Sequence, residues 1–181
     1  MSARWRGMLM AVIVAAVSGV AACIGGGRGA GPVPLAVGDT IRGVLSMAGS
    51  EPGAVLVLVP RKGDVVVPRG AELAQLRALI GLEVTIAGRM TDDCVTEGGP
   101  RGARVFEMTQ FAVRAMNGAG AIDGMLVREG ESWMLATSDG RRQPIPILPG
   151  ALAQQEGARV WFVGTLDGNI SAYGVIKAAP R

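Results

Sequence analysis

The sequence predicts a mainly β protein built as two five-stranded barrels in tandem, one over residues 35–118 and one over residues 119–181. Three observations predict this fold. Short runs rich in Val, Ile, Leu and Thr alternate with Gly, Pro and Asp turns, and one segment carries leucines at clear helical spacing. The third observation is an internal repeat, which indicates that one structural unit occurs twice.

The repeat consists of three pairs of similar segments, in the same order in both halves. "IRGVLS" (41–46) is matched by "IDGMLV" (122–127), "PRGAELAQLRALIGLEVTIAG" (68–88) by "LPGALAQQEGARVWFVG" (148–164), and "AVRA" (112–115) by "VIKA" (175–178). A single short match can arise by chance, but several matches in the same order favour a duplication.

The first half reads as five strands and one helix. Residues 40–47 and 54–59 are β-rich, and the turn "RKGD" (61–64) leads into "VVVP", which predicts a hairpin. The helix is predicted over "AELAQLRALIG" (71–81), where Leu73, Leu76, Leu79 and Ile80 have helical spacing and Gly81 suits the helix end.

Two further strands complete the first half. Residues 82–90 alternate, with Leu82, Val84 and Ile86 on one face and Glu83 and Thr85 on the other. In residues 104–116 the apolar positions shift from even to odd numbers, so we expect a β-bulge near Gln110 that keeps the apolar side chains on one face.

The second half repeats this order in a shorter form. Asp139 and Gly140 predict a turn between "SWMLATS" and "QPIPIL", and the helix is reduced to about one turn at residues 151–156. Three strands, a helix and two strands is the element order of the OB-fold barrel. The pattern over residues 38–181 resembles periplasmic bacterial OB-fold proteins. A single continuous β-sandwich and another type of small barrel are the alternatives.

The first 23 residues have the layout of an export signal. Arg4 and Arg6 precede the uncharged, apolar residues 8–22, a run shorter than the roughly 20 residues that span a bilayer core. The following "VAAC" resembles the lipobox of bacterial lipoproteins. That resemblance implies cleavage after residue 22, lipid attachment to the thiol of Cys23, and a tether over residues 23–34, which are rich in Gly and Pro. An ordinary cleaved signal and an uncleaved anchor are the alternatives.

The same resemblance implies a location. We expect a palmitate-type lipid anchor on Cys23 that holds the protein to the cell envelope, facing the periplasm. Residue 24 is Ile rather than the Asp that retains enterobacterial lipoproteins at the inner membrane, so the outer membrane is favoured in a host with two membranes. Without Arg4 and Arg6 the chain has 16 basic and 15 acidic residues, which gives little support to a polyanionic partner.

The loop at residues 91–103 is the candidate site for metal or thiol chemistry. Asp92, Asp93 and Glu97 offer oxygen ligands and Cys94 offers a thiol, but the spacing matches no calcium loop. The chain contains no histidine to activate the thiol. A solvated loop is therefore the favoured interpretation, and the sequence predicts no cofactor. A metal- or thiol-dependent envelope enzyme is the alternative.

The hairpin turns carry the basic candidates for a binding surface, Arg61 and Lys62 in the first half and Arg141 and Arg142 in the second. Non-specific binding of single-stranded nucleic acid requires a basic groove and several aromatic side chains. Aromatic residues make up only 4% of this chain, which argues against an oligonucleotide partner. The four residues are expected to be turn residues or part of a ligand surface.

Trp161 is the most informative aromatic residue. It aligns with Thr85 in the repeat, on the polar side of an alternating strand, so it should point away from the core of its own barrel. Outward tryptophans usually pack against something. The hypotheses are packing between the two barrels and contact with a ligand or partner. The sequence as a whole favours a non-catalytic binding or structural module that takes an envelope protein or a small ligand.

Overall fold

In a computed structural model, residues 38–50, 52–95, 99–100 and 102–180 are described, and they form ten strands and one short helix. The prediction of a mainly β protein is confirmed. The strands are β1 (Asp39–Ala48), β2 (Val55–Pro60), β3 (Val66–Arg69), β4 (Leu82–Cys94), β5 (Arg104–Met116), β6 (Ala119–Glu129), β7 (Ser132–Ala136), β8 (Arg142–Ile145), β9 (Arg159–Thr165) and β10 (Asn169–Lys177). The helix is α1 (Leu73–Arg77), and a 3₁₀ turn spans Gly150–Leu152.

In the first half, β1 to β5, every strand pairs with two other strands of the same half. β1 pairs with β2 and β4, β2 also pairs with β3, and β5 joins β4 to β3. The β3–β5 pair is parallel and the other four are antiparallel. The pairings therefore return to β1, in the order β1–β2–β3–β5–β4.

The second half, β6 to β10, follows the same order but stays open. β6 pairs with β7 and β9, β7 with β8, and β9 with β10. Among the described residues no pairing joins β8 to β10, so both are edge strands.

The two halves follow each other without a flexible linker. Asn117 and Gly118 form a two-residue turn with φ of 51° and 83°, and β5 and β6 pair on either side of it. A turn with positive φ at both central residues is type I′, which fits the twist of a hairpin. The ten strands thus form one continuous set of pairings.

Each half contains a glycine that no other residue can replace without a backbone shift. A Cβ on Gly43 would lie 2.5 Å from the carbonyl oxygen of Val59, and a Cβ on Gly124 would lie 2.5 Å from that of Ala136. Both glycines are the third residue of the first repeated segment, in "IRG" and "IDG". The same close approach of two strands therefore explains the same glycine in both halves.

Each half has its own apolar core. The first contains Leu45, Leu58, Leu76, Val84, Ile86 and Phe106, and the second Leu126, Leu135, Ile145, Leu152, Val160 and Phe162. Ile176 of β10 is buried in the first core, so the last strand of the chain packs against the first half.

The helix is shorter than the leucine spacing predicts. α1 ends at Arg77, and Leu79 is buried in the turn that follows it. Ile80, expected on the apolar face, is 48% exposed. Gly81 has φ of 88°, a left-handed conformation that favours glycine, and its N–H donates to the carbonyl of Leu45. This bond ties the chain to β1 before another turn of helix can form.

The predicted β-bulge in β5 is confirmed. Gln110 lies opposite Ala87 and Met108 opposite Gly88, so Thr109 is the extra residue. A second shift in register leaves Arg114 as the extra residue between Val113 and Ala115. The bulges let Phe106, Met108, Phe111 and Val113 all enter the first core. Along the described chain, no helix is long and apolar enough to cross a membrane.

Candidate functional site

Arg159 joins the two halves. It lies on β9, and its Nε and Nη2 donate to Oδ2 of Asp123 on β6 at 2.9 and 2.7 Å. Nη2 also donates to the carbonyl of Phe111 on β5 at 2.6 Å, and the guanidinium lies 4.1 Å from the centre of the Phe111 ring. Stacking and charge-assisted hydrogen bonds together hold this cation in a partly buried position.

Asp123 is held by a hydrogen bond from β5 in addition to those from Arg159. Its Oδ1 accepts a hydrogen bond from the backbone N–H of Val113 at 2.8 Å, and the residue is only 6% exposed. The pairing of β5 with β6 is confined to the residues next to the turn. The Asp123 carboxylate therefore accepts the hydrogen bond from Val113 that a backbone carbonyl would accept in a longer ladder. A buried carboxylate needs such partners, because an unpaired charge is costly to bury.

A cleft of about 380 Å³ opens beside Arg159, and we call it the junction cleft. Gln110, Thr137 and Ser138 give it polar groups, and Phe111, Met125 and Ala136 give it apolar surface. Glu72 also lines the cleft, and its Oε2 lies 3.8 Å from Nη1 of Arg159. Convergent polar groups on an apolar floor are typical of binding sites for small ligands or single side chains.

The first half contains a second, half-buried ion pair, with its charges reversed. Arg42 on β1 donates from Nε and Nη2 to the two carboxylate oxygens of Glu83 on β4 at 3.0 and 3.1 Å, and Arg61 approaches the same carboxylate at 3.3 Å. The hydrogen bond from Arg42 is the main cause that lowers the pKa of Glu83, against the opposing effect of burial. Glu83 is 6% exposed, so the polar face of β4 is not fully solvated.

The repeat relates these two ion pairs. Arg42 and Asp123 are both the second residue of the first repeated segment, and Glu83 aligns with Arg159 in the longer one. The same two positions therefore hold a basic–acidic pair in one half and an acidic–basic pair in the other. Sequence reasoning missed all four residues, although opposite charges at two aligned positions were the available signal.

Arg114, the extra residue at the second bulge of β5, contacts β4. Its Nε donates to Oγ1 of Thr85 at 3.0 Å. Burial is the largest cause that lowers the pKa of Arg114, with a further lowering from the positive charge of Arg42, while Asp123 acts in the opposite direction. The Arg114 guanidinium is thus subject to one charge from each ion pair.

The basic candidates from the sequence are spread over both halves. Arg61 is 78% exposed at the side chain and pairs with Glu83, and Lys62 is exposed at the rim of a separate cleft. Arg141 pairs with Asp139, whose pKa is lowered chiefly by the hydrogen bond from the Thr137 hydroxyl.

Arg142 forms an ion pair with Glu129 across β7. The structure therefore does not gather these four basic residues into one surface.

Trp161 lies at the contact between the halves. It is half-buried, packs against the first core, and is opposite Gly174 on β10. A Cβ on Gly174 would come within 2.7 Å of the indole nitrogen, so the ring rests directly on the glycine backbone. The side chain is thus directed out of the second core and onto the first.

The acidic loop candidates that the structure describes lie on the surface. Asp92, Asp93 and Cys94 are exposed at the end of β4, and Asp93 is 3.9 Å from Arg69, while Glu97 lies outside the described residues. In the part of the chain that the structure describes, no group of three or more Asp, Glu, Cys or His side chains could hold a metal ion.

Cys23 and residues 1–37 also lie outside the described residues. Comparison with family models, with curated proteins and with solved structures gives no match.

Proposed function

We propose that the protein is a lipid-anchored module of the bacterial cell envelope that binds a ligand or protein partner at the junction cleft. Its body is a tandem pair of OB-type barrels. The pairing order β1–β2–β3–β5–β4, with α1 between the third and fourth strands, supports this for the first half. The same order in the second half, although open, supports a second unit.

The anchor part of the proposal rests on residues 1–34. The charged start, the apolar run and the lipobox-like "VAAC" support lipid attachment at Cys23. Eleven residues rich in Gly and Pro separate Cys23 from residue 35, and a flexible chain of that length spans roughly 18 Å. The two barrels would then stay near the membrane surface while remaining free to reorient toward a partner.

The observation that carries the binding part is the junction cleft. It brings together side chains from β5, β6, β7 and β9, so neither half forms it alone. Met125 at the cleft is 41% exposed and remains accessible, whereas Arg159 and Asp123 below it are held by hydrogen bonds. A rigid polar base with an accessible apolar wall suits recognition, because little conformational freedom is lost when a ligand binds.

One experiment tests both parts in cells that produce the full chain. A photoreactive amino acid replaces Met125 in one strain and Met47 in a matched control, since Met47 is 40% exposed on β1 and lies outside the cleft. The cells are labelled with a radioactive fatty acid and then irradiated. We expect label in the protein, cross-linked adducts from position 125, and few adducts from position 47.

Each part can fail separately. A Cys23→Ser chain that retains the lipid label would contradict the anchor. Equal adducts from positions 125 and 47, or none from either, would contradict binding at the junction cleft even if the label behaves as expected.

A further inference from the structure

β10 is an edge strand whose counterpart in the first half is not. Along the described chain β10 pairs only with β9, through residues 169–177. Its counterpart β5 pairs with β4 and also, through residues 104–107, with β3. The second half therefore leaves one row of backbone donors and acceptors on β10 without a strand partner among the described residues.

The free edge of β8 has fewer backbone donors than the free edge of β10. β8, which corresponds to β3, contains Pro144, and Pro146 follows directly after it. Proline has no backbone N–H to donate and is confined to edge strands or strand ends. Pro144 and Pro146 each remove one donor near the edge of β8. Residues 169–177 contain no proline and carry a single charge, on Lys177, and the register with β9 shifts only at Ser171 and Ile176.

Two side chains of β10 on the face of the second core are exposed, whereas Ile170 at the start of the strand packs against that core. Tyr173 lies opposite Phe162 and Val175 lies opposite Val160, and directly opposed residues share one face of a sheet. Phe162 and Val160 are fully buried in the second core, but Tyr173 and Val175 are 41% and 39% exposed. The second core therefore reaches the surface along this edge.

The two ends of β10 carry opposite charges. Asp167 stands in the turn just before the strand and Lys177 is its last residue, and both are exposed. Neither forms an ion pair with another described residue. Antiparallel pairing of two such strands would place each acidic end beside a basic end, whereas parallel pairing would place like charges together.

We propose that β10 pairs antiparallel with β10 of a second copy of this chain, about a two-fold axis near Ala172. In this register the turn that carries Asp167 of each copy lies beside Lys177 of the other, and the two Tyr173 side chains become diagonal neighbours on one face. Diagonal neighbours are about 7–8 Å apart at the backbone, within reach of aromatic side chains. The interface is isologous, so it closes at a dimer and does not extend into a filament.

Charge reversal tests this interface in the full chain, solubilised in a mild detergent, with the protein mass measured by light scattering. We expect a dimer for the wild type. Lys177→Glu or Asp167→Lys replaces two attractions by two repulsions, and it should raise the dimer dissociation constant by about tenfold or more. The double variant with both changes restores two attractions and should dimerise like the wild type.

Lys62→Glu is the matched control, because Lys62 is exposed, lies on the first half, and forms no ion pair with the other described residues. It should dimerise like the wild type. A monomeric wild type would overturn the proposal and leave the β10 edge to a strand from another protein. A dimer that persists equally in both single variants, or a double variant that stays monomeric, would also overturn it.

Discussion

Single residues on the polar faces of the strands do more than contact water. Glu83 and Asp123 are both 6% exposed, and each is held by an arginine on a neighbouring strand. Burying such a pair costs desolvation free energy of its own, so its presence is weak evidence of net stabilisation. Removal of one partner is most costly where the remaining charge is buried, as Asp123 would be without Arg159, and less costly where it is half exposed, as Arg42 would be without Glu83.

Glu83→Gln should lower the free energy of unfolding by about 1–2 kcal/mol at neutral pH. This is the lower part of the range for hydrogen bonds to charged groups, because the Arg42 side chain is half exposed. Since the pKa of Glu83 is lowered in the folded protein, its stabilisation is complete above the ordinary value of 4.5 and is lost as the pH falls through the lowered value. Urea unfolding of both proteins at a series of pH values, from neutral to acid, measures this loss of stability.

The difference between wild type and Glu83→Gln should therefore shrink in acid. Glu107→Gln is the control, because its ion pair with Arg89 is exposed and should contribute less than about 1 kcal/mol. A difference for Glu83→Gln that stays constant from neutral pH to strong acid would contradict the assigned role.

At the scale of strands and turns, local pattern predicted much of the structure. The hairpin turns, the strand positions and the bulge beside Gln110 were predictable, because alternation and turn residues act over a few neighbours. The length of α1 was not, because the bond from Gly81 to Leu45 of β1 is a tertiary contact. The burial of Glu83 and Arg159 was not predictable from alternation either, since it depends on which strands lie side by side.

The close approach of β6 and β7 depends on Gly124. Gly124→Ala should lower the free energy of unfolding by about 1–3 kcal/mol, the range for overpacking, because the new methyl would lie 2.5 Å from a carbonyl oxygen. Gly120→Ala on the same strand is the control, since a Cβ there has no neighbour within 4 Å, and it should change stability by less than about 1 kcal/mol. Denaturant unfolding of both variants measures the contrast, and equal losses would contradict the steric explanation.

At the scale of the whole molecule, the two halves are joined by more than the turn at Asn117. Arg159 bonds to Phe111 across the junction, Ile176 is buried in the first core, and Trp161 packs against that core from β9. An interface made of an ion pair, an aliphatic side chain and an indole holds the halves in one arrangement. The junction cleft keeps its shape only while these contacts persist.

Trp161 tests that coupling most directly. Truncation of a fully buried aromatic costs about 3–5 kcal/mol, and Trp161 is half-buried, so Trp161→Ala should cost about 1–3 kcal/mol. Because the indole packs against the first core from the second half, the loss should appear as faster amide hydrogen exchange in β4 and β5 as well as in β9 and β10. Trp133→Ala is the control, since Trp133 packs against the second core, and its effect should stay within β6 to β8. If Trp161→Ala speeds exchange in β9 and β10 alone and leaves stability unchanged, the indole does not couple the halves, and its exposed part becomes a candidate contact for a partner.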